Sequence, residues 1–356
     1  FINKRIKFIM AYTTINKSTD NFNTKLYTGT GSSLAITGVG HQPDLVWIKK
    51  RNGATSHTVT DSVRGVNKQL FTNEIAAEES YTSVLTAFDS DGFSLSTAGL
   101  INASSDTYAS WNWKGNGSGS ANTDGSVTST VSVNQSAGFS IVSWTGTGSN
   151  LTVGHGLNKT PEMIITMNRD NGNGYWVTYH KDTSASPQTS YIYLAVNSPK
   201  VDGYAGFWNS TAPTSSVFYN GTDGDMNTNG EKMIAYCFSS ITGYQKVGSF
   251  IGNANVDGPM IVTGFKPSFI LIKNVNATQS WRLVDNKRIG YNPNNIQLYP
   301  DITNTESTSE YVVDIVSNGF KVRATDAGVN GSGNTMIYLA IGQSIVGSNN
   351  VPCTAR

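Results

Sequence analysis

The chain has 356 residues, of which 38% are hydrophobic and 14% charged, with a formal net charge of +1. That charged fraction is well under the ~25% of ordinary soluble domains, and Gly, Asn, Ser and Thr fill the gap; charged disorder and electrostatic nucleic-acid binding are both excluded. With 16 Tyr, 14 Phe and 7 Trp the chain has ample core material, and no apolar run reaches the ~18 residues that a spanning helix needs, so membrane insertion is not expected.

In chain order, Phe1–Lys7 is basic and too short in apolar run for a signal-peptide core, and Met10 reads as a natural start. Residues 1–24 are predicted to be an extended attachment arm, with Tyr12 and Phe22 available to dock on a neighbour. The stretch Lys25–Lys49 then sets a pattern: an aromatic strand, a Gly-rich turn, a short apolar stretch, Pro43 and a second apolar strand. The pattern recurs at Ile141–Asn168 around Pro161 and at Lys246–Asn274 around Pro267. A repeat of that length is about one small domain.

The first unit is predicted to span 25–113. Its pieces are strands at Asp44–Lys49 and His57–Asp61, a short helix at Asn73–Ser80, a hairpin at Phe88–Leu95 turning on Asp91–Gly92, and a closing strand at Tyr108–Trp113 with Trp111 and Trp113 on one side. Residues 114–124 (KGNGSGSANTD) read as a flexible linker. The second unit, 125–243, closes on Met233–Phe238, where Tyr236 and Phe238 take the places of Trp111 and Trp113. The third, 244–342, carries a hairpin over Tyr311–Arg323 and closes on Met336–Ile341, with Leu339 and Ile341 in the same role; 343–356 is a tail. Short strands cut by Gly, Asn and Pro turns predict an all-β fold: three tandem antiparallel β-sandwich units of jelly-roll or lectin-like type, with very little helix. One closed three-bladed body is the alternative, against which the linker argues.

Catalytic constellations are weak. Asp89 with Asp91, and Asp223 with Asp225, sit on turn sequence, whereas glycoside hydrolysis needs carboxylates across a cleft. The histidines His41, His57, His155 and His180 form no ligand-spaced pair. Cys237 and Cys353 read as incidental thiols, a disulfide being the alternative. Asp223, Asp225, Asn227 and Asn229 alternate as at the start of a calcium loop, without its glycine or its closing glutamate. A polar hairpin loop is the favoured reading, calcium the alternative, and no other cofactor is expected. The remaining functional material is aromatic. Tyr175, Trp176, Tyr204, Phe207 and Trp208 lie beside Asn- and Gly-rich loops, where rings could stack on the apolar face of a sugar; the competing reading places them in the core.

Several runs in this order resemble a family of tailed-phage virion proteins, many from marine and cyanobacterial phages. They are residues 11–24, YTGTGS at 27–32, GVGHQPDLVWIK at 38–49, SHTVTDSVRG at 56–65, LTAFDSDGFSL at 85–95, NTDGSVTSTVS at 122–132, the run 139–165, FWNSTAPTSSVF at 207–218, MIAYCF at 233–238, the run 257–273 and YNPNN at 291–295. Asn112 departs from the small apolar residue or Cys expected there. The resemblance implies a non-enzymatic virion protein, a tail-fibre or appendage adhesin, homotrimeric, touching other virion proteins and a host-surface glycan. A capsid or tail decoration protein is the alternative, and a polysaccharide-degrading enzyme the minor one. The resemblance brings no catalytic residues.

Overall fold

The computed structural model describes residues 12–294, 296–308 and 312–346. The chain is all-β. Its large sheets run in strand order 22–28, 107–113, 45–50, 58–61, 68–71, 79–80; then 120–122, 129–134, 139–145, 232–238, 163–168, 177–180, 190–193, 201–202; then 245–251, 335–343, 266–274, 282–285. The three sheets share one plan. An entry strand (Phe22–Thr28, Phe139–Thr145 or Gln245–Ile251) pairs antiparallel with the closing strand of its unit, and the closing strand pairs with the inner strand that holds or follows the proline. Smaller sheets (34–36 with 92–95 and 85–89; 151–154 with 217–220; 260–262 with 319–322 and 313–316) each cover one face of a large sheet.

The inner strands are apolar on both faces because both faces are covered. Val46 and Ile48 face the local core under the small sheet, while Leu45 and Trp47 face the other way. On that other face the three large sheets meet. Trp111, Trp113, Tyr236, Phe238, Leu339 and Ile341, from the three closing strands, belong to one buried cluster. Each unit keeps its own small covering sheet, and the shared core joins the units into one body, the alternative that the sequence left open. Phe22 of the first unit packs on Phe269 of the third at 5.4 Å, and Trp113 lies 6.3 Å from Phe139 of the second.

The seams between units follow one scheme. Glu78 N–H donates to Arg169 O (2.7 Å), Glu306 N–H to Arg51 O (2.8 Å) and Lys200 N–H to Val275 O (2.9 Å). At the first two seams the side chains pair as well: Glu78 with Arg169 at 2.9 Å and Glu306 with Arg51 at 2.8 Å. Behind each lies a buried i,i+3 pair, Asp61–Arg64 (2.5 Å) and Asp285–Arg288 (2.6 Å). Asp61 accepts from Tyr236 Oη at 2.8 Å, and Asp285 from Trp111 Nε1 at 3.1 Å. At the seam between the second and third units Val275 replaces the arginine, and His180 reaches Tyr338 O at 3.3 Å in place of the carboxylate. Trp176 Nε1 donates to Phe71 O (2.8 Å) and Trp281 Nε1 to Tyr193 O (2.9 Å), so indole donors also tie neighbouring units.

Other expectations change for physical reasons. Residues 114–124 are not a flexible linker: Ser120–Asn122 is a strand, Gly115 N–H donates to Asp44 Oδ2 (2.7 Å) and Ser62 Oγ to Gly117 O (2.5 Å). A Cβ on Gly119, which has φ +79, would sit 2.7 Å from the Val131 backbone, so that glycine serves close packing. Asn73–Ser80 is not helical; Glu79–Ser80 pairs with Lys68–Gln69, so tertiary pairing overrides local propensity. The described part of the arm docks: Ile15 joins the shared core, Tyr12 Oη donates to Gly264 O (3.0 Å) and Ser18 N–H to Gln343 Oε1 (2.7 Å). Residues 1–11, Asn295, residues 309–311 (where the expected hairpin strand begins) and the tail from 347, including Cys353, lie outside the described residues. Asn112 is fully buried and Nδ2 donates to Asn23 O at 2.9 Å, so it cross-links the entry and closing strands where Cys237 and Ala340 stand in the other units. No helix among the described residues is long and apolar enough to cross a membrane.

Candidate functional site: a tyrosine and carboxylate cluster

In each unit a four-residue helix links the small sheet to the closing strand: Gly99–Asn102, Gly224–Asn227 and Ala327–Asn330. The last residue of each is a fully buried asparagine. Asn227 Oδ1 accepts from Thr147 N–H (2.8 Å), and its Nδ2 donates to Ser149 O and Gly221 O (both 2.6 Å). Asn102 makes the same set with Thr30, Ser32 and Ser96. Asn330 makes it with Asn253, Asn255 and Ala324. Asn227 is therefore a staple that fixes the Gly-rich turn. That is a structural role for Asn227, in keeping with the polar-loop reading, while Asn229 lies exposed beyond the helix. Among the described residues no group of three or more His, Cys, Asp or Glu could hold a metal ion.

The staple fixes what precedes it. Asp223 caps the helix, with Oδ1 accepting from Asp225 N–H at 2.9 Å, and its other oxygen accepts from Tyr204 Oη. Around these carboxylates stand four tyrosines. Tyr175 lies 4.5 Å from Tyr193, Tyr193 is 5.0 Å from Tyr191, and Tyr191 is 5.5 Å from Tyr204, centroid to centroid. Phe207 backs them, 4.7 Å from Tyr191 and 5.0 Å from Tyr204. Tyr204 is 36% exposed, and Tyr175, Tyr191 and Tyr193 are half-buried. Gly206 keeps this shape possible, because a Cβ there would meet the Tyr204 ring at 2.5 Å.

Two of the expected stacking platforms are corrected, together with Phe207. Trp176 and Trp208 are fully buried, at 0% and 1% exposure. Trp176 belongs to the shared core and Trp208 packs on Tyr179 at 5.5 Å, so neither offers a face to a ligand. Phe207, at 2%, supports the cluster from beneath. Of the expected residues the structure brings together Tyr175, Tyr204, Asp223 and Asp225. It adds Tyr191 and Tyr193, whose signal was the alternation in Ser190–Tyr193, a strand with tyrosines on one side.

The electrostatics follow from the crowding. Burial, then the charge of Asp223, pushes the Asp225 carboxyl up to about 6. The hydrogen bond to Asp223, then burial, pushes the Tyr204 hydroxyl up to about 12. Tyr193 is raised by burial and then by Tyr191. The site thus holds neutral phenols as donors and acceptors, one half-buried carboxyl that takes a proton in mild acid, and edge and face of aromatic rings. It has no nucleophile and base pair. The histidines are buried elsewhere: His155 Nε2 lies 3.2 Å from Thr214 O, His41 Nδ1 2.8 Å from Thr19 O, and His57 Nδ1 accepts from Trp47 Nε1 at 3.0 Å. Asp91 is occupied by the amides of Gly38 and Gly40, and Asp89 by Ser94 Oγ.

Residues 17–344 match the model of a domain family of unknown function, DUF7483. The chain belongs to that family. The DUF7483 match starts in the docked arm and ends one residue past the third closing strand, so it takes in all three large sheets and their common core. No curated protein matches the chain.

Proposed function

We propose that this DUF7483 protein is a non-enzymatic structural component on the surface of a phage particle, a tail-fibre or appendage adhesin whose tyrosine and carboxylate cluster binds a host-surface glycan. The observation that carries the reading is the cluster itself: Tyr175, Tyr191, Tyr193 and Tyr204 gathered around Asp223 and Asp225 on a rigid scaffold. Phenol rings supply faces for the apolar side of a sugar, and hydroxyls with carboxylates bond its hydroxyls. The resemblance of the sequence to tailed-phage virion proteins supports the location, and the low charge and doubly covered sheets suit a part that meets the medium. One chain supplies all three sheets of the core, so a homotrimer would join outer surfaces rather than complete the fold.

The test is a glycan array with the parent chain and with Tyr204→Ala and Tyr175→Ala. Binding to a defined set of glycans that both variants lose supports the reading; a parent that binds none refutes it. Labelling intact particles with an antibody fragment separates the adhesin from the decoration protein: label on fibres or the tail tip supports the former, and label over the capsid the latter.

A further inference from the structure

The three entry strands have the same outer edge, and the chain treats those edges differently. In the second unit the edge of Phe139–Thr145 carries an extra strand, Ser129–Asn134, with Ser132 opposite Ile141. That strand and residues 115–117 fill the space against the first unit: Asn116 N–H donates to Ser132 Oγ (2.7 Å) and Gly115 N–H to Asp44 Oδ2 (2.7 Å). In the third unit the outward N–H of Val247 is capped by Ser240 Oγ at 3.1 Å. Among the described residues the first unit has neither device.

Lys114 N–H donates to Asn21 O and Gly29 N–H to Asp106 O, which fixes the alternation along Phe22–Thr28. Odd-numbered residues face the closing strand, so the N–H and C=O groups of Phe22, Thr24 and Leu26 point outward. Among the described residues none of these outward groups is paired. Phe22 and Thr24 line a groove of about 760 Å³, whose far wall is the third unit, with Lys266, Ser268, Asn286 and Lys287; Leu26 continues the same edge beyond it. Two buried polar atoms in its lining have no partner: Thr24 Oγ1, on a residue 4% exposed, and Asn286 Oδ1. An orphaned polar atom costs free energy until a partner arrives.

The charge of the groove selects the partner. Lys266 and Lys287 have no acidic partner among the described residues. At the filled counterpart the same positions before Pro43 and after Asp61 are Gln42 and Val63, so the cations belong to the open groove alone. The ends of the chain do not suit it: residues 1–11 carry Lys4, Arg5 and Lys7, residues 347–356 carry Arg356, and neither has an Asp or Glu.

We propose that this groove docks an extended, acidic segment of another polypeptide, which adds to the edge of Phe22–Thr28 as Ser129–Asn134 adds to the edge of the second unit. Main-chain hydrogen bonds to Phe22, Thr24 and Leu26 give affinity, and carboxylates over Lys266 and Lys287 give selectivity. This inference stands independently of glycan binding.

The probe is a fluorescein-labelled synthetic peptide copying residues 128–135 with Thr130→Asp and Ser132→Asp, read by anisotropy against the full chain. A control peptide carries lysine at both positions. The expected result is saturable binding of the acidic peptide, at least tenfold tighter than the control, with the preference inverted by the double variant Lys266→Glu, Lys287→Glu. Lys287 is exposed and Lys266 half-buried, and neither belongs to a core cluster, so that variant keeps the core. No saturable binding, or equal binding of the two peptides, overturns the proposal. A photo-crosslinking residue at Asn23 gives a second reading: attachment to the acidic peptide supports the docking site, whereas attachment to residues 347–356 or to a second copy assigns the groove elsewhere and overturns it.

Discussion

Replacing Asn227 by Asp changes one atom's chemistry and almost no volume. The new side chain keeps the acceptor that takes the Thr147 N–H at 2.8 Å but loses both donors. Ser149 O and Gly221 O, each now bonded at 2.6 Å, are left unpaired against a carboxyl group in a site with no exposure. At about 1–3 kcal/mol for each orphaned buried group, the loss is about 2–6 kcal/mol. For a chain of this size that is a fall in melting temperature of roughly 3–8 °C. The assay is thermal and denaturant unfolding of the parent and Asn227→Asp, each in excess EDTA and in excess calcium. Asn102→Asp and Asn330→Asp should cost similar amounts, since their bonds match. The expected result is destabilisation of all three variants, indifferent to calcium. If Asn227→Asp is neutral, or calcium stabilises it and not Asn102→Asp, the loop is an ion site and the staple argument is wrong.

Two further outcomes follow from buried charge. Because the folded Asp225 carboxyl titrates near 6, above its unfolded value of about 3.9, its ionisation works against the fold above pH 6 and the penalty vanishes as pH falls below about 4. Asp225→Asn should therefore raise the melting temperature at pH 8 by an amount worth about 1–2 kcal/mol, reduced for its partial exposure, and give no gain at pH 4; a gain that is the same at both pH values refutes this. Asp61→Asn leaves the Arg64 guanidinium buried without its counter-charge and should cost about 3–5 kcal/mol in denaturant unfolding, while Asp20→Asn, which breaks an exposed pair with Lys17, should cost under about 1 kcal/mol.

Much of the strand plan was legible because hydrophobic period and turn chemistry are local. The hairpin over Phe88–Leu95 forms, although its turn is Ser90–Asp91 with Gly92 paired to Asp89, one residue earlier than expected, and the closing strands put Trp111 with Trp113 and Tyr236 with Phe238 on one face, as alternation requires. The meeting of the three inner faces was less legible. Its trace was present, since Leu45–Ile48 and Met163–Ile165 have no polar alternation and must be covered twice, but nothing local says what supplies the second cover. Glycine misled at 114–124, because the residue that frees a linker also lets two backbones touch. At the site, sequence separated neither Trp176 from Tyr175 nor Asn227 from Asp225. Tyr175 and Trp176 lie just before the strand Val177–His180, where no period says which ring turns inward, and the asparagine's partners at Thr147 and Ser149 lie some 80 residues away along the chain.

The closure of the first unit against the third has a consequence for synthesis. Trp111 and Trp113 emerge from the ribosome long before Phe269 packs on Phe22 or Asp285 accepts the Trp111 indole N–H, and Arg51 waits for Glu306. Until then the nascent chain displays a tryptophan-lined face with no roof. The last joint to form is the one between the first unit and the third.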